Sequence, residues 1–92
     1  MDLSCWPHLE LLVEAARGLP PLQVWLFGSA LRTGAPADLD VLLVYEDRWT
    51  VVALRAMQPW DEFNPPCDII AMTPLEEHEY AFIAGTGAVR LL

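Results

Sequence analysis

Three aspartates at or near the starts of apolar segments are the residues of this chain best suited to chemistry. Asp38 and Asp40 stand two residues apart before an apolar run that ends at Tyr45, and Asp68 precedes a second such run. Side chains alternate along a strand, so Asp38 and Asp40 would point to one side while Leu39 points into a core. A rise of ~3.3 Å per residue places their backbone positions roughly 6–7 Å apart, from which flexible side chains could reach a common ion.

Parallel carboxylates at the start of an apolar strand are costly, because they repel each other and lose hydration beside the core. A divalent cation offsets both penalties, and Mg²⁺ favours one or two protein carboxylates together with substrate phosphates. If the Asp68 strand lies beside the Asp38 strand, three acids converge at one end of a sheet. Phosphoryl-transfer sites with two metal ions ~3.5–4 Å apart have this form. The sequence therefore predicts metal ligation by Asp38, Asp40 and Asp68.

The Gly28-Ser29 pair has the properties of a phosphate-binding turn. It follows an apolar run, and eight residues separate it from Asp38. A glycine at this place lets a triphosphate approach the backbone closely, and the amides of Ser29 and Ala30 would point at phosphate oxygens if they open a helical turn. The Ser29 hydroxyl would add a donor, and Arg32 would add a positive charge.

Each of these signals has a simpler explanation when it is taken alone. An Asp-x-Asp sequence before a strand is compatible with a solvated turn, and Asp68 is compatible with a turn acid. Gly-Ser is common at strand ends, and Arg32 fits an ordinary surface position equally well. The combination of Gly-Ser upstream and a third acid downstream favours one shared site over four unrelated features.

Hydrophobic periodicity predicts the elements that would position these residues. Helices are expected over 7–17, 48–57 and 74–84, and strands over 22–27, 38–45, 67–72 and 88–92, with a loop over 58–66. Asp47 is the expected cap of the second helix. Thr73, Pro74 and Glu76 predict a capping box at the start of the third. The order predicts an α/β (α+β) fold, a small mixed sheet of about four strands with helices packed on it, in a single domain over 1–92.

The composition indicates an interface. Hydrophobic residues make up 54% of the chain and include four tryptophans. A domain of 92 residues buries a limited share of its surface, so some large apolar side chains should remain exposed. Exposed apolar patches usually mark interfaces. We therefore expect a protein partner or self-association, with Trp49 and Trp60 as the better interface candidates.

The charge and the apolar runs limit the partners and the location. Thirteen acidic residues stand against five arginines and no lysine, for a net charge of −8. Contacts to duplex phosphates need a basic face, so duplex nucleic acid is not an expected partner. No apolar run reaches the ~18–20 residues needed to span a bilayer, and the start of the chain does not have the pattern of a secretory signal. Cys5 and Cys67 show no metal-ligand spacing. We expect a cytoplasmic protein without a membrane segment.

The same motifs carry a family resemblance. Gly-Ser at 28–29, eight further residues, and Asp-Leu-Asp at 38–40 resemble the signature of the DNA polymerase β-like nucleotidyltransferase superfamily. Asp68 matches the third acid expected on a later strand. The small size, and the passage from a helix through glycine into the apolar end at 82–92, resemble the minimal nucleotidyltransferases in particular. The layout covers nearly the whole chain, although about a dozen residues carry the resemblance.

The resemblance implies a magnesium-dependent transfer reaction. Asp38 and Asp40 would bind both of two Mg²⁺ ions, and Asp68 would bind one of them and help to deprotonate an acceptor hydroxyl. Gly28 and Ser29 would hold the nucleoside triphosphate, whose α-phosphorus is attacked as pyrophosphate leaves. The expected function is transfer of a nucleotide, AMP from ATP, to a hydroxyl group.

The resemblance also implies a partner, because minimal nucleotidyltransferases are often paired with small helical HEPN-type proteins in toxin–antitoxin modules. The acceptor would then be a tyrosine of that partner. One alternative is a non-catalytic antitoxin that neutralises the partner by contact. A weaker one is transfer to a small molecule such as an aminoglycoside, which usually requires an additional acceptor-binding domain. The chain departs from the family pattern at Ala30 and Leu31, where many members carry a basic residue, so Arg32 is the nearest cation.

Overall fold

A computed structural model describes residues 6–19, 21–57 and 64–92, which form a four-stranded mixed sheet with helices packed on it. The helices are α1 (Pro7–Arg17), α2 (Arg48–Met57), α3 (Pro74–Tyr80) and α4 (Phe82–Thr86). The strands are β1 (Leu22–Phe27), β2 (Leu39–Tyr45), β3 (Cys67–Met72) and β4 (Val89–Arg90), and a single 3-10 turn, Gly28–Leu31, follows β1. The predicted α/β fold with a small mixed sheet is confirmed.

The strand order in the sheet is β3-β2-β1-β4. β2 and β3 are parallel, joined through α2, while β1 is antiparallel to both β2 and β4. The amide of Leu39 donates to the carbonyl of Pro66 at 2.8 Å, immediately before the first residue of β3. This bond and the parallel ladder fix which residues of β2 and β3 stand side by side.

One face of the sheet carries the main hydrophobic core. Apolar residues of α1 and α2 recur every three or four positions, as the periodicity predicts, and pack against alternate residues of β1 and β2. These buried residues include Leu9, Leu12, Val13, Ala16, Val24, Leu26, Leu39, Val41, Leu43, Val51 and Leu54. The alternation leaves the intervening residues of β1 and β2, Asp40 among them, on the opposite face.

The opposite face is covered more thinly. Leu42 and Val44 are buried there, α3 contacts β2 and β3, and the ring of Phe82 in α4 meets that of Phe27 edge-on with centroids 4.9 Å apart. Within the described part of the chain, neither α3 nor α4 has a buried residue. Helix packing on this side therefore leaves the outer surfaces of α3 and α4 accessible.

The two helix caps predicted from sequence are present. The Glu76 amide donates to Thr73 Oγ1 at 3.2 Å and the Thr73 amide donates to Glu76 Oε1 at 3.0 Å, which is a capping box. Asp47 Oδ1 accepts the Trp49 amide at 3.0 Å at the start of α2. None of the helices formed by the described residues has the length and apolar character that crossing a lipid bilayer requires.

The last third of the chain differs from the prediction. The single helix expected over 74–84 is interrupted at Ala81, whose φ of 49° is left-handed, and α4 continues until Gly87. A hydrogen bond across the break supports it, because Glu77 Oε1 accepts the Ile83 amide at 3.2 Å and so provides an acceptor at the start of α4. The expected strand over 88–92 is shorter, with two residues in β4. Most of the predicted loop, 58–63, and with it Trp60, lies outside the described residues.

Candidate functional site

The parallel register of β2 and β3 brings two of the predicted aspartates side by side. Asp40 and Asp68 are Cα partners across the two strands. Neighbouring strands lie ~4.8 Å apart and paired residues point to the same face, so both carboxylates leave the same side of the sheet. Leu39 is fully buried, which places Asp38 on the face of Asp40, immediately before β2. The three predicted aspartates therefore share one end of the sheet.

Gly28 lies directly against Asp40. Phe27, the last residue of β1, is the Cα partner of Asp40, and Gly28 follows with a φ of 80°. A Cβ atom on Gly28 would overlap Asp40 Oδ2 and would lie 3.1 Å from Asp40 Cγ. The sequence predicts that this glycine lets a phosphate group approach the backbone. The structure adds that its missing side chain makes room for the Asp40 carboxylate.

The 3-10 turn after β1 places Ser29 next to this glycine. The Ser29 carbonyl accepts the amides of Arg32 at 2.9 Å and Thr33 at 3.0 Å, which holds the turn closed. Arg32 is exposed and forms no ion pair with any described residue. Ala30, at the position where the resembling family often has a basic residue, is buried in the core with 6% of its surface exposed. Arg32 is thus the cation of this turn that remains accessible to a ligand.

The aspartate cluster has no compensating positive charge in the described ranges. None of the three carboxylates accepts a hydrogen bond from residues 6–19, 21–57 or 64–92, and none forms an ion pair with them. The ion pair found in these ranges joins Arg17 to Glu14 at 2.9 Å. Partial burial, and then the negative charges of Asp68 and Asp38, raise the pKa of the Asp40 carboxyl above its ordinary value of 3.8. The site is an uncompensated anionic cluster.

Such a donor set suits a hard divalent cation, which would neutralise the repulsion that raises the pKa of Asp40. Yet among the described residues no three His, Cys, Asp or Glu side chains are gathered closely enough to hold a metal ion together. The three aspartates share a sheet end and an electrostatic field, while their carboxylate oxygens are not yet arranged as a ligand set. Ligation by all three requires their side chains to rotate toward one another.

Two features beside the cluster were not anticipated from the sequence. Phe82 reaches the site end of the sheet through its contact with Phe27, and the close approach of Gly28 to Asp40 depends on strand pairing. No local sequence signal marks either contact, because each joins segments that are distant along the chain. A separate groove of about 310 Å³ lies at the other end of β1 and β2, where Leu22, Val44 and Arg90 line it. It is remote from the aspartates.

Comparisons of the chain with known protein families, with curated proteins and with solved structures find no match. The functional conclusion therefore depends on the residues themselves and on how the strands arrange them.

Proposed function

We propose that this chain is a Mg²⁺-dependent nucleotidyltransferase that moves AMP from ATP to a hydroxyl group. Asp38, Asp40 and Asp68 would hold the metal ions, and Gly28 and Ser29 would hold the triphosphate. The observation that supports this most is the pairing of Asp40 with Asp68, on the same side of the sheet as the Gly-Ser turn. The resemblance to the minimal nucleotidyltransferases implies three acids at one end of the sheet beside a Gly-Ser turn.

Each residue has a distinct part in the proposed reaction. Bound divalent ions would neutralise charge on the transferring phosphate. Asp68 is exposed at the start of β3, where an acceptor hydroxyl can approach from solvent. Asp68 would accept the hydroxyl proton as the oxygen attacks the α-phosphorus and the bond to the leaving pyrophosphate breaks. The Ser29 hydroxyl would donate a hydrogen bond to a phosphate oxygen. Arg32 is exposed and follows Ser29 by three residues, and its guanidinium would pair with the negative charge of the triphosphate.

The proposed acceptor is a tyrosine on a small helical HEPN-type partner, with the two proteins forming a cytoplasmic toxin–antitoxin pair. The exposed apolar surface supports a protein partner, since Trp49 has 69% of its surface exposed on α2. The net charge of −8 favours a partner with a basic contact surface.

The test is nucleotide transfer with purified components. The full chain, Mg²⁺ and each of the four α-labelled ribonucleoside triphosphates are incubated with the HEPN-type product of the adjacent gene. We expect label from ATP on the partner, and its loss in Asp40→Asn and Asp68→Asn but not in Glu10→Gln, an exposed acid on α1. Absence of label on the partner with all four nucleotides would overturn the catalytic proposal.

A second candidate function is neutralisation of the same partner by contact alone. The buried Ala30 and the aspartate oxygens that are not gathered into a ligand set favour it. An Asp38→Asn/Asp40→Asn double variant separates the two functions. If neutralisation survives in this variant, contact is sufficient. If the complex still forms but neutralisation is lost, the chemistry is required.

A further inference from the structure

The outer face of α2 is apolar and bordered by positive charge. Trp49 is 69% exposed, Val52 is 47% exposed, and Ala56 follows at the next helical spacing on the same side. Arg48 and Arg55 stand beside this stripe, so two of the five arginines of the chain lie on one helix face. We call these five residues the α2 surface. Arg55 also donates from Nη2 to the Ile69 carbonyl at 3.2 Å, so Arg48 is the more available of the two charges.

The outer face of α3 is apolar and bordered by negative charge. Leu75 is 68% exposed and Tyr80 is 67% exposed, although both are large apolar or aromatic residues. Glu76 and Glu79 are exposed between them, each one helical turn from one of the two. These four residues are the α3 surface. Among the described residues no arginine or histidine forms an ion pair with either glutamate. Glu76 Oε1 accepts the Thr73 amide in the capping box, so Glu79 is the more available of the two.

The two surfaces complement each other, and they cannot meet within one chain. α2 packs on the face of the sheet that carries the main core, whereas α3 packs on the opposite face. Each surface has an apolar centre; the charged residues of the α2 surface are arginines, and those of the α3 surface are glutamates. For a chain of net charge −8, contact between α2 and α3 of two copies brings arginines to glutamates, whereas contact between two α3 surfaces would oppose like charges.

We propose that a second copy of this chain is the occupant of these surfaces, with the α2 surface of one copy bound to the α3 surface of the next. Because the two contacting surfaces are different, the association is head-to-tail and either closes into a ring or extends. The carboxylates of the candidate active site take no part in it, so the chemistry does not require this association. Trp49, however, belongs both to this surface and to the surface proposed to meet the helical partner, so the two contacts compete for α2.

Sedimentation of the full chain over a range of concentrations tests the association. We expect the weight-average mass to rise with concentration. Arg48→Glu and Glu79→Arg should each weaken the association about tenfold or more, because each sets like charges opposite one another. Glu10→Arg makes a matched charge reversal on α1, outside both surfaces, and should not weaken it. Circular dichroism checks that each variant is folded.

Mixing the two weakened variants tests the pairing itself. The glutamate at position 48 of one variant can face the arginine at position 79 of the other, and the opposite contact has the natural charges. We expect an equimolar mixture to regain association within about threefold of the original chain. A monomeric original chain, an association that neither reversal weakens, or a mixture that stays dissociated would each overturn the proposal.

Discussion

The carboxylate of Asp40 occupies the space that a side chain on Gly28 would need. Gly28 also has a φ of 80°, which is a conformation that other L residues rarely adopt. Two independent constraints therefore require glycine at the end of β1. Through this contact the backbone of the Gly-Ser turn determines where the central carboxylate of the cluster can lie.

Replacing Gly28 by alanine should destabilise the protein and displace Asp40. The left-handed conformation and the overlap with the carboxylate together should lower the free energy of unfolding by at least about 2 kcal/mol. Urea denaturation measures the change. Gly34→Ala is the matched control, because no atom lies within 4 Å of the added Cβ. An equal loss in both variants would contradict the importance of the contact.

A double variant separates the steric part from the backbone part. In an Asp40→Ala background the carboxylate is gone, so Gly28→Ala should retain the cost of its positive φ and lose the cost of the overlap. We expect the same substitution to be milder there, with a coupling free energy of about 1 kcal/mol. Additive effects in this cycle would mean that the two residues do not interact.

Asp40→Asn should stabilise the metal-free protein at neutral pH. Burial and the charges of Asp68 and Asp38 raise the pKa of Asp40 in the folded state, so its ionised form opposes folding. This cost is absent below the pKa of the unfolded state, grows as the pH rises from that pKa to the raised pKa of the folded state, and is fully present above the raised pKa. The advantage of the variant should therefore shrink as the pH falls to about 4. Urea denaturation with a chelator, at neutral and acidic pH, measures it. An advantage that does not change with pH would point to another cause.

Magnesium should stabilise the original chain and have less effect on Asp68→Asn. A cation that binds the folded state at about ten times its Kd adds about 1.4 kcal/mol to the free energy of unfolding. Removing one of three carboxylates weakens that binding, and thermal unfolding with and without MgCl₂ measures it. Since salt also screens the repulsion of a highly charged chain, NaCl at equal ionic strength is the control. If NaCl reproduces the shift, the cluster does not bind the ion specifically.

Thr73→Ala should destabilise α3 by about 1 kcal/mol, because the amide of Glu76 loses its side-chain acceptor. Thr73→Ser keeps the hydroxyl and should remain close to the original stability. Thermal unfolding compares the two variants, and amide hydrogen exchange in α3 locates the change. Similar behaviour of the alanine and serine variants would show that the cap contributes little.

Elements with short-range signals could be predicted from the sequence. The cap at Thr73 and the strand Leu22–Phe27 depend on residues within a few positions of each other, and both are present as expected. The adjacency of β2 and β3 is a condition of the predicted site, and the parallel pairing of the two strands meets that condition. That adjacency is why Asp40 and Asp68, distant along the chain, could be expected at one end of the sheet.

Contacts between distant segments could not be predicted in the same way. The break at Ala81 departs from the prediction for a local reason, because helical signals continue on both sides of it. The bond that supports it joins the Ile83 amide to Glu77 of α3, six residues earlier. The proximity of Gly28 to Asp40 follows from the antiparallel register of β1 and β2, which local patterns do not specify. Strand alternation predicts the face of the sheet on which a carboxylate lies. It does not predict the side-chain rotation that sets the direction of the carboxylate oxygens.

β3 is an edge strand, and β2 is its sole neighbour in the sheet that the described residues form. A slip of this strand by one residue would set Cys67 or Ile69 opposite Asp40 and turn Asp68 to the far side of the sheet. The negative charge gathered in the cluster therefore depends on the register of β3 against β2. An insertion or deletion that shifts this register by one residue would therefore change the number of acids at the site without altering any of the three aspartates.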